Sequence, residues 1–138
     1  MSSFKVFDIA GSALSAQSVR MNAVASNLAN ANTVSGDKSQ VFKARYAVFE
    51  AVAAEEARPV AGAAAVKVSE VIESDKAPLA RYEPGHPLAD AQGYVYQPDI
   101  NAVEQMVDMI SASRSYQNNI EVMNASKEML LATLRLGQ

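Results

Sequence analysis

The sequence contains no cysteine and no tryptophan, and none of its five prolines lies before residue 59 or after residue 98. Without cysteine, disulfide staples and thiolate metal centres are excluded, and nothing marks the redox compartment. No run of about 18 apolar residues occurs, so no segment is expected to span a bilayer. Lys and Arg number 12 against 15 Asp and Glu, scattered singly at a net charge of -3. That pattern leaves no basic footprint for nucleic acid. The opening Met1-Ser2-Ser3-Phe4-Lys5-Val6-Phe7-Asp8 meets an aspartate where a secretory signal needs an unbroken apolar core, so no cleavable signal peptide is expected. A phosphate loop, a nucleophile elbow, paired histidine ligands and a dinucleotide fingerprint are all missing. No cofactor and no metal are expected. The single histidine, His86, sits between Gly85 and Pro87 and reads as a turn residue, because catalysis or metal binding needs several convergent groups. An enzyme reading would have to rest on Asp75, Glu83, His86 and Asp90.

What is present is alanine. Hydrophobic residues make up 49% of the 138 residues, but much of that share is alanine rather than large side chains. A chain of this length buries one modest core. Alanine favours helix and adds little buried area of its own, so the core is thin and stability is expected to come partly from association.

From residue 4 to about 31 the large apolar residues recur at sevens: Phe7, Leu14, Met21 and Leu28. With Ala10, Val24 and Ala25 flanking this seam and Gln17, Ser18, Arg20 and Asn22 interrupting or opposing it, the pattern predicts an amphipathic helix roughly 40 Å long. Asn27, Asn30, Asn32 and Thr33 then crowd short polar side chains that compete for backbone hydrogen bonds, and the helix is expected to end there. Ser35-Gly36-Asp37-Lys38 reads as a turn or mobile loop.

Between residues 41 and 98 the prolines forbid a long helix. Val66-Lys67-Val68 and Gly93-Tyr94-Val95-Tyr96 alternate as half-buried strands do, with a turn at Tyr82-Glu83-Pro84-Gly85-His86-Pro87-Leu88 between two strand candidates. Residues 51–65 are ambiguous: alanines and Glu55-Glu56 favour helix while Pro59 and Gly62 break it, giving a short helix or an irregular connection.

A second long helix is expected from Asn101, as cap with Glu104 reaching back, to Leu136-Gly137. Three series at sevens lie along it. One is Met109, Tyr116, Met123 and Leu130. The second is Val103, Ile110, Gln117, Asn124 and Leu131, and the third Met106, Ser113, Ile120, Lys127 and Leu134. A two-stranded seam needs two positions per heptad, so a third series points to contact with more than one helix. The polar Ser113, Gln117, Asn124 and Lys127 either face solvent or specify register in a buried seam. Leu14, Met21 and Leu28 are expected to pack against Ile110, Tyr116, Ile120 and Met123, since the heptad spacing matches.

The expected fold is α+β, mainly α: two long terminal amphipathic helices paired antiparallel as a coiled-coil-like bundle with a small β-rich middle segment. The division is 1–35 for the N-terminal helix, 36–98 for the β-rich middle and 99–138 for the C-terminal helix. Phe7, Leu14, Met21, Leu28, Met106, Ile110, Tyr116, Ile120, Met123, Leu131 and Leu134 are the candidate packing and assembly residues.

The run Ser26-Asn27-Leu28-Ala29-Asn30-Ala31-Asn32-Thr33, closing an N-terminal amphipathic helix, resembles the signature of the bacterial flagellar rod and hook protein family. Its signature residues are Asn27, Leu28, Asn30, Asn32 and Thr33. Two further segments narrow the resemblance to the short proximal-rod members. They are Tyr82-Glu83-Pro84-Gly85-His86-Pro87-Leu88-Ala89-Asp90 with Gly93-Tyr94-Val95, and Met109-Ile110-Ser111-Ala112-Ser113-Arg114-Ser115-Tyr116-Gln117-Asn118-Asn119-Ile120-Glu121-Val122. The opening from Phe7 to Leu14 and the close Thr133-Leu134-Arg135-Leu136-Gly137-Gln138 fit as well, so the match covers nearly the whole length.

The resemblance implies a non-catalytic structural subunit of the flagellar basal body. It would be exported by the flagellar type III apparatus and stacked helically in the periplasmic rod around the export channel. Its implied partners are copies of itself, the other rod proteins, the hook-basal-body adaptor and the export apparatus. A cytoplasmic coiled-coil adaptor or chaperone is the alternative that the missing signal peptide permits.

Overall fold

The proline-free N-terminal stretch forms helix α1, Ser3–Asn30. The structure, a computed structural model, describes residues 3–53 and 64–137. α1 ends as the asparagine run predicts, through short polar side chains meeting orphaned carbonyls. The Thr33 amide and hydroxyl both donate to the Asn30 carbonyl at 3.1 and 2.8 Å, and Asn30 Nδ2 reaches back to the Ser26 carbonyl at 2.9 Å.

Residues 35–38, expected as a turn or mobile loop, are a pinned turn. Ser35 exchanges both backbone hydrogen bonds with Tyr96 at 2.8 Å. Gly36 passes so close to Leu88 that a Cβ would lie 2.5 Å from its carbonyl oxygen. Asp37 caps a single 3₁₀ turn, Lys38–Gln40, by accepting from the Ser39 amide at 2.8 Å.

Strands β1, Arg45–Ala53, and β2, Ala64–Glu73, form an antiparallel hairpin running from Arg45 opposite Glu73 to Ala53 opposite Ala64. Val48 pairs with Glu70 but Phe49 with Val68, so Ser69 is the extra residue of a bulge, and its hydroxyl donates to the Val48 carbonyl at 3.2 Å. This corrects the expectation for residues 51–65: 51–53 and 64–65 are strand, while 54–63 lie outside the described residues. Tyr46, Val48, Phe49 and Val52 suit a pleated surface, and their pairing overrides the helix preference of the intervening alanines.

Strands β3, Leu79–Tyr82, and β4, Tyr94–Gln97, form a second antiparallel pair. Tyr82 lies opposite Tyr94, with ring centroids 5.2 Å apart at 62°. The turn expected at residues 82–88 is there, except that Tyr82 ends β3, a strand outside the expected ones. The connection closes on Gly93 at φ 87, where a Cβ would also sit 3.0 Å from the Tyr82 ring, so only glycine fits without strain.

Helix α2, Ala102–Leu136, starts on the expected cap: Asn101 Oδ1 accepts from the amides of Val103 and Glu104 at 3.0 and 3.4 Å. Among the described residues Glu104 makes no return bond to the Asn101 amide, so half of the capping box forms. α2 packs on α1, and the hairpin packs on α1 as well. Arg20 of α1 pairs with Asp108 of α2 and Asn27 with Gln105, so the two helices run antiparallel. The core is built mostly from small residues, as the composition predicts: Ala10, Ala16, Ala23 and Val24 on α1, Ala112 on α2, and Val41, Ala44 and Val95 from the middle segment.

Candidate assembly surface

α2 divides into a seam and two free rows. Its buried residues are Gln105, Ala112 and Ser126, and half-buried Asn119 continues the same series at sevens. The expected series Met109, Tyr116, Met123 and Leu130 is half-buried beside it. Positions three and four apart alternate between the two series, the spacing that one helix presents to one neighbour. Leu14, Met21 and Leu28 of α1 are half-buried, as is Phe7, while the fully covered α1 positions are alanines, Val24 and Asn27.

The other two series point away from the chain's own core. Val103, Met106, Ile110, Ile120, Leu131 and Leu134 are all exposed, Ile110 at 54% and Leu134 at 67%. The expected packing of Leu14, Met21 and Leu28 on Ile110 and Ile120 therefore needs correcting. Ile110 and Ile120 fall outside the intramolecular seam, and the small and polar series at 105, 112, 119 and 126 takes that place. Ala112 and Ser126 are small enough to be fully covered by α1, and Gln105 is covered because it is hydrogen-bonded to Asn27. Gln117, Asn124 and Lys127 are exposed, so they do not set register within the chain, whereas Ser113 is half-buried.

The asparagine run separates into two kinds of residue. Asn32 and Thr33 are exposed and Asn30 closes its own helix, but Asn27 is fully buried. Its Nδ2 donates to the Arg45 carbonyl and to Gln105 Oε1, each at 2.9 Å, and its Oδ1 accepts from the Arg45 amide at 2.7 Å. One side chain thus joins α1, β1 and α2. A shallow depression beside it is lined by Tyr46 and the first turns of α2, including Val103, Val107 and Asp108. Gln105 escaped sequence reasoning because a lone glutamine among apolar series carries no pattern of its own; its spacing of seven from Ala112 was the available signal.

The polar groups of the middle segment are spent on structure. Asp90 accepts at Oδ1 from the amides of Gln92 and Tyr94, each at 2.9 Å, and at Oδ2 from the Tyr96 hydroxyl at 2.8 Å. The Tyr94 amide first and the Tyr96 hydroxyl second hold the Asp90 carboxyl below the usual carboxylate range, and the same bond pushes the Tyr96 hydroxyl up. Glu83 is paired with Arg81 at 2.8 Å. His86 Nδ1 accepts from the Leu88 amide at 3.0 Å, which is the turn role its neighbours suggested. Among the described residues no three His, Asp or Glu side chains gather as metal ligands, and no helix is long and apolar enough to cross a membrane.

Known proteins match this sequence end to end. The family model described as Flagella basal body rod protein matches residues 7–36, and that described as Flagellar basal body rod FlgEFG protein C-terminal matches residues 91–136. The chain is 53% identical over 138 residues to the flagellar basal-body rod protein FlgC of Escherichia coli O6:H1 and to that of Salmonella typhimurium, covering all of each chain. It is 35% identical over 150 aligned residues to the FlgC of Bacillus subtilis, again covering the full length of both. The chain belongs to the FlgC family of flagellar basal-body rod proteins, structural components of the motility organelle and not enzymes.

Proposed function

We propose that this rod protein is an axial subunit of the proximal rod that assembles helically through its terminal helices around the export channel. The observation that carries the reading is the pair of free apolar rows on α2. A helix with Met106, Ile110, Ile120 and Leu134 exposed has more apolar surface than its own chain covers, and such rows on a soluble subunit mark contact with other proteins. Copies of the same chain, the other rod proteins and the hook-basal-body adaptor are the partners that an axial stack supplies. In this reading segments 1–35 and 99–138 form the coiled-coil-like axial element and segment 36–98 a small β-rich middle domain. The flagellar type III apparatus exports the chain, without a cleavable signal peptide, to the periplasmic rod. Torque then passes through packing distributed over many subunits. The cytoplasmic adaptor reading is weakened by full-length identity to rod proteins.

The test is deletion of the gene from its host, complementation with the full chain or a chain lacking residues 2–33, and electron microscopy of isolated basal bodies. The expected result is a rodless basal body restored only by the full chain. Normal rods without the gene would refute the assignment.

A further inference from the structure

We propose that Asn27 and Gln105 are the register key of the two terminal helices, and that through Arg45 the same key ties the β1–β2 hairpin to them. Asn27 has no exposed surface and Gln105 only 6%. The orientation of the Asn27 amide is forced. The Arg45 amide can only donate, so Oδ1 must face it at 2.7 Å, which leaves Nδ2 to find acceptors on the Arg45 carbonyl and on Gln105 Oε1.

Apart from the half-buried Arg20–Asp108 pair, the rest of the deep seam discriminates little between registers. Ala23, Ala112 and Ser126 are small, and small residues meeting small residues pack about as well after a slip as before it. Asn27 does discriminate. The slips that keep both seam series in the seam are those by a heptad, and they would bring Ala112 or Pro98 to the place of Gln105. Neither side chain carries an oxygen acceptor, so a heptad slip leaves a buried amide donor without its α2 partner. Shorter slips toward Asn101, Glu104 or Asp108 would supply an oxygen, and they are opposed instead by carrying the half-buried Met109, Tyr116 and Met123 out of the seam. A single buried asparagine is known to fix pairing in this way in helical seams. The exposed Gln117, Asn124 and Lys127 cannot supply that function within the chain.

The key also decides which surface is offered outward. A slip of one residue turns a helix by about 100° and would carry the Met106 row into the seam. The bearing on neighbouring subunits rests on the axial-subunit reading, but the key itself is a property of the single chain.

The test is amide hydrogen exchange on the purified full-length chain carrying Asn27→Leu, Gln105→Met or Gln105→Glu. Gln105→Met keeps the side-chain length but removes the acceptor, whereas Gln105→Glu keeps an acceptor. The expected result is that Gln105→Met speeds exchange at the Arg45 amide by about tenfold or more, although residue 105 has no hydrogen bond to Arg45, because the Asn27 amide is no longer held. Gln105→Glu should stay much closer to the unsubstituted chain, and Asn27→Leu should lose the protection altogether. If Asn27→Leu does not fold, the two Gln105 variants decide. Unchanged Arg45 exchange in Gln105→Met, or equal damage from Gln105→Glu, overturns the key. A wrong axial reading would leave these outcomes untouched, so the two failures are distinguishable.

Discussion

α1 and α2 are both long, both proline-free and both rich in small residues, yet they occupy opposite situations. α1 is flanked by two neighbours within its own chain, α2 and the hairpin. Its covered positions, Ala10, Ala16, Ala23, Val24 and Asn27, fall on more than one face of the helix. Among the described residues α2 packs mainly on α1, and only a narrow seam of it is buried. The lesson is that apolar content says little about which helix is internal. α2 leaves large apolar side chains exposed on its free rows, while the fully buried positions of α1 are mostly residues that contribute little area each. The fully covered helix positions are therefore mostly small, and large side chains stand half-buried beside them or exposed on the free rows.

The hardest test of that division is a charge in the seam. Ala112 has no exposed surface. Ala112→Glu must place a carboxylate where two helices meet closely, combining overpacking with an unpaired buried charge, and should cost more than about 3 kcal/mol. Ala125→Glu, at an exposed position of the same helix, should cost no more than about 0.5 kcal/mol. Urea unfolding followed by far-ultraviolet circular dichroism reads both. Equal effects would mean that the seam is not the stabilising face of α2.

A milder substitution separates the two neighbours of α1. Ser12 Oγ donates to the Ile9 carbonyl at 2.8 Å and accepts from the Val66 amide at 3.2 Å, pinning the far part of the hairpin to α1. Ser12→Ala should destabilise the chain by about 1 kcal/mol. The signature to look for is faster amide exchange at Val66 with little change along α2. Spread of the effect into α2 would show that the hairpin and the helix pair are a single cooperative unit, and the picture of two separable neighbours would fail.

How much of this was readable beforehand follows from the same division. Helix limits were legible because proline is confined to the middle and because Asn101 and the asparagine run are strong end signals. β4 and the turn before it were legible from alternation and from Pro84, Gly85 and Pro87. β1 was partly hidden by alanines whose helix preference yields to cross-strand pairing. The inner seam was half legible. Met109, Tyr116, Met123 and Leu130 stand out as large residues at sevens, but their companions Gln105, Ala112, Asn119 and Ser126 do not look like a core. Hydrophobic periodicity finds faces that are apolar, and a close helix crossing selects for smallness instead. Asn27 was seen as a signature residue but read as part of a helix end, since only the fold brings Arg45 and Gln105 to it.

The smallest effect on the purified chain should come from large apolar residues on the free rows. Ile110 and Met106 are exposed on α2, so Ile110→Ser and Met106→Ser remove contacts that the single chain does not make. Each should shift its stability by no more than about 0.5 kcal/mol. On the axial-subunit reading the same substitutions should prevent rod formation while the chain is still exported, which basal-body microscopy and detection of the exported protein would show together. A loss of more than about 1 kcal/mol in the purified Ile110→Ser chain, a size ordinarily seen only when a packed side chain is cut back, would put Ile110 inside the chain's own packing. The free rows would then be part of the core, and the contrast between α1 and α2 would collapse.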